Sequence, residues 1–183
     1  MSERISLLDP ATAPAPVKGI FDAVRAKIGM VPNLYRVMGH SAAALNGYLG
    51  LGKALESGHL EPGLREKIAL AISQENSCGY CLSAHSAIAR MVGVPDDQIR
   101  EARAGRSTSA REGAAVALAA RLVANRGWID DAELARFRSS GLTNAEIVEV
   151  VAMVAHTTFS NYTNHLAHTP IDFPLAENLP SGS

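Results

Sequence analysis

Apolar residues recur at helical spacing along almost the whole chain, and no stretch shows convincing strand-like alternation flanked by hairpin turns. This pattern, together with abundant alanine, predicts an all-α fold. Punctuation residues divide it. The spacing predicts a helix over 16–28, with Pro16 in its first turn. A second helix is expected over 33–57, bent near Gly39-His40-Ser41, and a third over 62–75. Asn76-Ser77 supplies cap-type residues for the next helix, which ends near Gly93. Shorter helices are expected over 95–105 and 130–139, on either side of a strong Ala/Leu/Val helix over 109–125. Thr143 with Glu146 three residues on reads as a capping box opening the last long helix, which Pro170 and Pro174 end. Residues 1–14 and 172–183 read as arms on a single domain spanning 1–183, a length that can bury a real core.

Charge and hydropathy narrow the function classes. Apolar residues are 47% of the chain, charged residues 19%, and the formal net charge is −1. No basic surplus suggests nucleic acid or an anionic membrane surface as a partner. No apolar run approaches bilayer length. The first residues lack the basic region, apolar stretch and cleavage site of a signal peptide, so a cytoplasmic location is expected.

The only two cysteines lie three apart in Cys78-Gly79-Tyr80-Cys81-Leu82-Ser83-Ala84-His85. In a reducing compartment such a pair reads as a catalytic dithiol or as metal ligands rather than a structural staple. A disulfide between them would close almost no loop and would constrain the unfolded chain little. On a helix, Cys78, Cys81 and His85 share one face. Cα atoms three apart are roughly 5–6 Å from one another, within disulfide range. Helix-end N–H groups lower thiol pKa values, which favours Cys78 as the more acidic thiol. Cys81 lies four residues before His85, within reach of its imidazole. Antiparallel packing of the preceding helix can bring Glu66 to His85, as a base or an orienting group. Two thiols, a base and an orienter satisfy the logic of an activated nucleophile.

The alternatives are a zinc site, with Cys78, Cys81 and His85 joined by Glu66 or a distant histidine, and a chance pair of buried small residues. Glu75 can form part of the site wall or an ion pair between subunits. By helical arithmetic Tyr80 points away from the thiol face and packs. His156, His165 and His168 read as packing or interface residues, and Trp128 as core or interface.

A longer-range pattern accompanies the motif. Glu66, Cys78, Cys81 and His85 sit at offsets 0, 12, 15 and 19, and the same offsets from Glu146 reach Thr158, Asn161 and His165. Apolar positions Ile68, Leu70 and Ala71 match Val148, Val150 and Val151. This reads as an internal duplication of a helical hairpin, with an active repeat near 61–93 and a degenerate one near 141–170.

Glu-x11-Cys-x2-Cys-x3-His resembles the active-site signature of the alkylhydroperoxidase D family, within the carboxymuconolactone decarboxylase superfamily. The resemblance is strongest from Leu64 to Arg90. It extends to Pro32-Asn33-Leu34, Asn161-Tyr162-Thr163-Asn164-His165 and Ile171-Asp172-Phe173, a frame similar to the single-chain peroxidase-related members. It implies an AhpD-like helical fold assembled as a homo-oligomer, trimer or hexamer. It implies that Cys81 attacks the O–O bond and becomes a sulfenic acid, that Cys78 resolves it to a disulfide, and that His85 and Glu66 relay protons. A lipoylated or thioredoxin-like dithiol would regenerate the pair. The sequence departs from the family in carrying Tyr80 where alkylhydroperoxidase D has a second histidine. True carboxymuconolactone decarboxylases lack the CxxC pair, which disfavours lactone decarboxylation.

The expectation is therefore a thiol-dependent peroxidase acting on organic hydroperoxides through Cys81, Cys78, His85 and Glu66, with no cofactor and no metal. Its alternatives are a protein disulfide reductase or isomerase, and a degenerate or zinc-binding scaffold.

Overall fold

Prolines, glycines and capping side chains cut the chain into helices joined by short turns, as a computed structural model of the protein, which describes residues 4–179, shows. Among the described residues there are nine helices and no strand. They are α1 (Ala15–Ile28), α2 (Asn33–Met38), α3 (Ala42–Leu55), α4 (Pro62–Glu75), α5 (Gly79–Met91), α6 (Asp96–Arg103), α7 (Ala110–Ala124), α8 (Asp131–Ser139) and α9 (Asn144–Ala167). The all-α expectation holds, and most boundaries fall within a residue or two of those read from the sequence.

Two breaks differ from expectation. The expected helix over 33–57 is two helices rather than one bent helix. Ser41 adopts an extended backbone and its hydroxyl accepts from the Ala44 N–H at 3.2 Å, which caps α3 afresh. Gly39 allows the close approach that the break creates: a Cβ there would lie 2.6 Å from Phe21 Cζ. The second difference is at Asn76-Ser77, which close α4 rather than open α5. Ser77 takes a left-handed backbone (φ 54°), its N–H bonds to Gln74 O, and the Cys78 N–H bonds to Ser73 O at 2.9 Å. This is a Schellman ending. Cys78 itself is the N-cap of α5.

α4 is the axial helix. Ile68, Ala69, Leu70, Ala71 and Ile72 are buried in succession, as a helix covered on all sides requires. On one side Leu64, Ile68 and Ile72 join Leu118, Ala119 and Val150 in the main core. On another, Leu70 packs with Leu82, Ala89 and Ile99. A third cluster, built on Phe21, Leu45 and Tyr48, contains both cysteines.

α9 opens with the expected capping box: the Glu146 N–H donates to Thr143 Oγ1, and Glu146 accepts from the Thr143 N–H. Arg111 also pairs with Glu146. The offsets that place Glu66 and His85 on a hairpin fall, from Glu146 to His165, on one unbroken helix. Nineteen residues of helix separate those two by roughly 28 Å.

The described parts of both arms lie against the body outside the helices, the first turning at Asp9–Thr12. Arg4 N–H bonds to Ala167 O, Ala176 N–H to Ser83 Oγ, and Arg103 to Glu177 O. Residues 1–3 and 180–183 of the expected arms lie outside the described residues.

Candidate active site

The Schellman turn reverses the chain, so α4 and α5 pack antiparallel and the end of one faces the start of the other. The reversal brings Glu66 of α4 to His85 of α5: Nδ1 lies 2.7 Å from Glu66 Oε2, both side chains being mostly buried. With Nδ1 committed to the carboxylate, Nε2 is the nitrogen left for chemistry. Burial alone pushes the His85 pKa down, but the charge and hydrogen bond of Glu66 outweigh it, helped by Cys81, and the net effect is upward.

Both sulfurs are buried, Cys78 at 1% and Cys81 at 2% exposure, and both thiols are free. They lie close to each other, and the Cys78 thiol also faces the Asn161 carbonyl at 4.0 Å. The neighbouring Cys78 thiol is the main influence lowering the Cys81 pKa. Burial opposes it, and the charge on His85 and the polar side chains of α9 beside the sulfur assist it, bringing Cys81 down to about 6. Cys78 moves the other way, because it lies beside Cys81 and is desolvated. Helix-end electrostatics alone favour Cys78; the position of His85 and the closeness of the two thiols reverse that order.

α9 supplies the rest of the sulfur environment. Ser160 Oγ lies 3.5 Å from Cys81 Sγ, and the Asn164 Nδ2 donates to the same sulfur at 3.3 Å. Asn161 ties α9 to the hairpin: its Nδ2 donates to Ser73 Oγ and its Oδ1 accepts from Asn76 Nδ2. Tyr48 of α3 lies nearby, and burial keeps its phenol protonated by pushing its pKa up.

A cavity of about 410 Å³ reaches His85 and Glu66. Tyr35, Tyr48 and His156 form its aromatic wall, and Leu49, Ile88 and Met153 contribute apolar surface. Tyr48 and His156 stack at 4.1 Å. His156 Nε2 donates to the Tyr48 carbonyl at 3.1 Å, and burial with the nearby charge of His85 pushes its pKa down to about 4, so it is a neutral ring.

Residues 40–125 match the carboxymuconolactone decarboxylase family, a span that contains the whole α4–α5 hairpin. That stretch, a little under half of the chain, is similar to this family. No curated protein sequence matches it. Among solved structures, it superposes on an alkylhydroperoxidase AhpD core, an uncharacterized peroxidase-related protein of Ralstonia eutropha JMP134. The TM-score is 0.83 at 23% identity, over 93% of this chain and 92% of that one. An uncharacterized peroxidase-related protein of Silicibacter sp. TM1040 gives a TM-score of 0.77 at 22% identity, over 93% and 90%. The debrominase Bmp8 in its apo form gives 0.79 at 23% identity, over 94% of each chain. These likenesses show the AhpD-like helical fold.

The structure thus brings all four expected residues into one neighbourhood, Glu66 and His85 in direct contact and Cys78 and Cys81 close to each other. Tyr80 does more than pack. Its hydroxyl donates to Asp172 Oδ1 at 2.7 Å and accepts from the Leu34 N–H at 3.2 Å, while Asp172 Oδ2 accepts from the Asn33 N–H. Glu75 and His165 are exposed, and Trp128 lies on the surface rather than in the core. Among the described residues, no three His, Cys, Asp or Glu side chains are grouped to hold a metal ion.

Ser160, Asn164, Tyr48 and His156 are the residues that sequence reasoning did not assign to the site. A signal for two of them existed. Thr157, Ser160, Asn161 and Asn164 form a polar row at helical spacing on the face of α9 that also carries Val150 and Met153, and polar groups on a buried face need partners.

Proposed function

We propose that this protein is a thiol-dependent peroxidase that reduces organic hydroperoxides through a Cys78–Cys81 disulfide cycle. The observation that carries the reading is Cys81 itself: a buried thiol with a lowered pKa, one helical turn from an imidazole fixed by a carboxylate.

The Cys81 thiolate attacks the distal oxygen of ROOH. An S–O bond forms, the O–O bond breaks, and RO⁻ leaves, taking the proton that His85 holds with the support of Glu66. The Cys78 thiol then attacks the sulfenic acid, forming the disulfide and releasing water. An external dithiol, lipoylated or thioredoxin-like, returns both sulfurs to thiols. Burial of both sulfurs favours small substrates entering by the cavity over the protein-disulfide alternative. Intact-mass measurement of the reduced protein before and after one equivalent of cumene hydroperoxide tests the cycle. Loss of both thiols together with about 2 Da is expected; persistence of both thiols overturns the reading.

A second reading has its own support. The aromatic wall of Tyr35, Tyr48 and His156 suits a planar ring, and a Cys-to-Ala variant of the debrominase Bmp8, in complex with 2,3,4-tribromopyrrole, shares this fold with a TM-score of 0.79 at 22% identity, over 94% of this chain and 93% of that one. The same dithiol could reduce an aryl bromide, ArBr and two thiols giving ArH, HBr and a disulfide. Bromide release from tribromopyrrole, with no thiol loss to hydroperoxide, would select this reading.

The homo-oligomer belongs to the same proposal. Val148, Val151, Phe159, Tyr162 and Leu166 are exposed along one face of α9 at three- and four-residue spacing, the pattern of a helix that packs against another. Light scattering on Leu166→Glu tests it: a smaller particle than the parent supports the assembly, and a monomeric parent removes it.

A further inference from the structure

We propose that the side-chain amide of Asn164 is a catalytic group of this site, its Nδ2 holding the Cys81 thiolate and its Oδ1 receiving the O–H of the attacked hydroperoxide. The first half stands on the geometry of the resting site; the second rests on the peroxidase reading.

Asn164 lies on the inner face of α9 and is 4% exposed. Its Nδ2 donates to Cys81 Sγ at 3.3 Å. Its Oδ1 is buried and has no hydrogen-bond partner among the described residues. The contrast with its neighbour is informative. Asn161, also buried, has both ends of its amide engaged, to Ser73 and to Asn76, and serves to tie helices together. Asn164 gives its donor to the reacting sulfur and leaves its acceptor open. Buried polar groups in folded proteins are satisfied in the great majority of cases, and an exception invites a functional account.

Chemistry supplies one. Ser160 also approaches Cys81, at 3.5 Å, but its hydroxyl donates to Thr157 O at 2.8 Å. Asn164 points an N–H at the sulfur and therefore favours the ionised form. When the thiolate attacks, the distal oxygen it takes still carries its hydrogen. That oxygen becomes the sulfenic acid on Cys81, adjacent to the amide whose carbonyl is free to accept. One side chain thus stabilises the nucleophile before attack and the S–OH group after it, while His85 serves the departing alkoxide on the other side of the broken bond.

The test uses the full chain in a Cys78→Ser background, so that one thiol titrates and the sulfenic acid persists. The rate of iodoacetamide alkylation is followed against pH for Asn164→Ala and Asn164→Asp. The alkylation midpoint should rise by about one to two pH units in Asn164→Ala, the worth of a hydrogen bond to a charged group, and at least as far in Asn164→Asp, whose carboxylate repels the thiolate. Should Asn164→Ala fail to fold, the nearly isosteric Asn164→Asp carries the same readout. Unmoved midpoints overturn the hold on the thiolate. The second half is read at a pH where Cys81 is fully ionised in every variant, as the rate of sulfenic acid formation with cumene hydroperoxide. Asn164→Ala should remain about tenfold slow there, the cost of one lost hydrogen bond; a rate equal to the parent's overturns the role of Oδ1. A parent that forms no sulfenic acid removes the peroxidase reading and with it the role of Oδ1, while the alkylation midpoints still decide the hold on the thiolate.

Discussion

His85 Nδ1 meets Glu66 Oε2 at 2.7 Å across the α4–α5 hairpin, nineteen residues apart in sequence. The contact fixes the tautomer of the imidazole, leaves Nε2 for chemistry, and raises the pKa of His85 against the pull of burial. The charge so retained is one reason that Cys81 ionises early.

Replacing Glu66 with Gln removes the carboxylate and keeps the shape. The His85 pKa then falls, because burial is no longer opposed. The ring then holds its proton less firmly, and Cys81 loses part of the positive charge beside it. Alkylation of Cys81 should move to higher pH. Once its midpoint lies above 7, peroxide reduction at pH 7 should fall roughly tenfold for every further pH unit the midpoint climbs. His85→Ala should cost more near neutrality, roughly 100-fold if proton transfer to the leaving group is lost. Part of that loss should return as pH rises through the ordinary thiol range, where ionisation needs no help. A pH–rate profile for both variants checks this; a loss independent of pH would make the pair structural.

The two thiols should be separable by pH in the intact protein. Cys81 is lowered to about 6 and Cys78 is raised, so brief iodoacetamide treatment at pH 7 should label Cys81 first, as peptide mass mapping would show. After hydroperoxide, Cys81→Ser should show no turnover, while Cys78→Ser should hold a sulfenic acid that dimedone traps. Equal labelling of the two thiols, or turnover by Cys81→Ser, would reverse the roles.

Much of this arrangement was legible in the sequence, for physical reasons. The capping box at Thr143 and Glu146 is local chemistry, and so is the match of Pro62 with the start of α4. Glu66 and His85 were readable as partners because a short turn between two helices implies antiparallel packing. Asn76-Ser77 misled because cap-type residues serve either end of a helix, and only tertiary packing showed Ser77 in the left-handed region. Tyr80 misled because its side chain was judged within α5 alone, whereas its partners Leu34 and Asp172 lie 46 and 92 residues away. His156 was unreadable for the same reason: its stacking partner Tyr48 belongs to another helix.

Gly39 offers a test of the break between α2 and α3. An added Cβ would meet Phe21 Cζ at 2.6 Å, Val17 Cγ1 at 3.1 Å and Leu8 Cδ1 at 3.2 Å. Phe21 has no exposed surface and cannot swing away. Gly39→Ala should therefore lower stability by about 1–3 kcal/mol, the usual cost of overpacking. Urea unfolding would register this as a lower midpoint at unchanged slope. A neutral result would mean that α2 shifts freely against α1.

Tyr80 separates a structural role from a catalytic one. It stands where alkylhydroperoxidase D has a histidine, and a phenol can in principle pass a proton. Its hydroxyl is instead occupied at both ends, donating to Asp172 and accepting from the Leu34 N–H, while Phe173 packs edge-on against its ring. Burial raises its pKa, with Asp172 adding to the effect, so the hydroxyl holds its proton through the working pH range. Tyr80→Phe keeps the ring and removes those two bonds, leaving a buried N–H and one carboxylate oxygen without partners. Stability should fall by about 1–3 kcal/mol. The rate of sulfenic acid formation should hold, because Cys81, His85 and Glu66 keep their contacts. Urea denaturation and peroxide kinetics on the same preparation distinguish the cases. A rate loss with stability intact would place the phenol in the proton path and return to Tyr80 the role that the histidine has in the family.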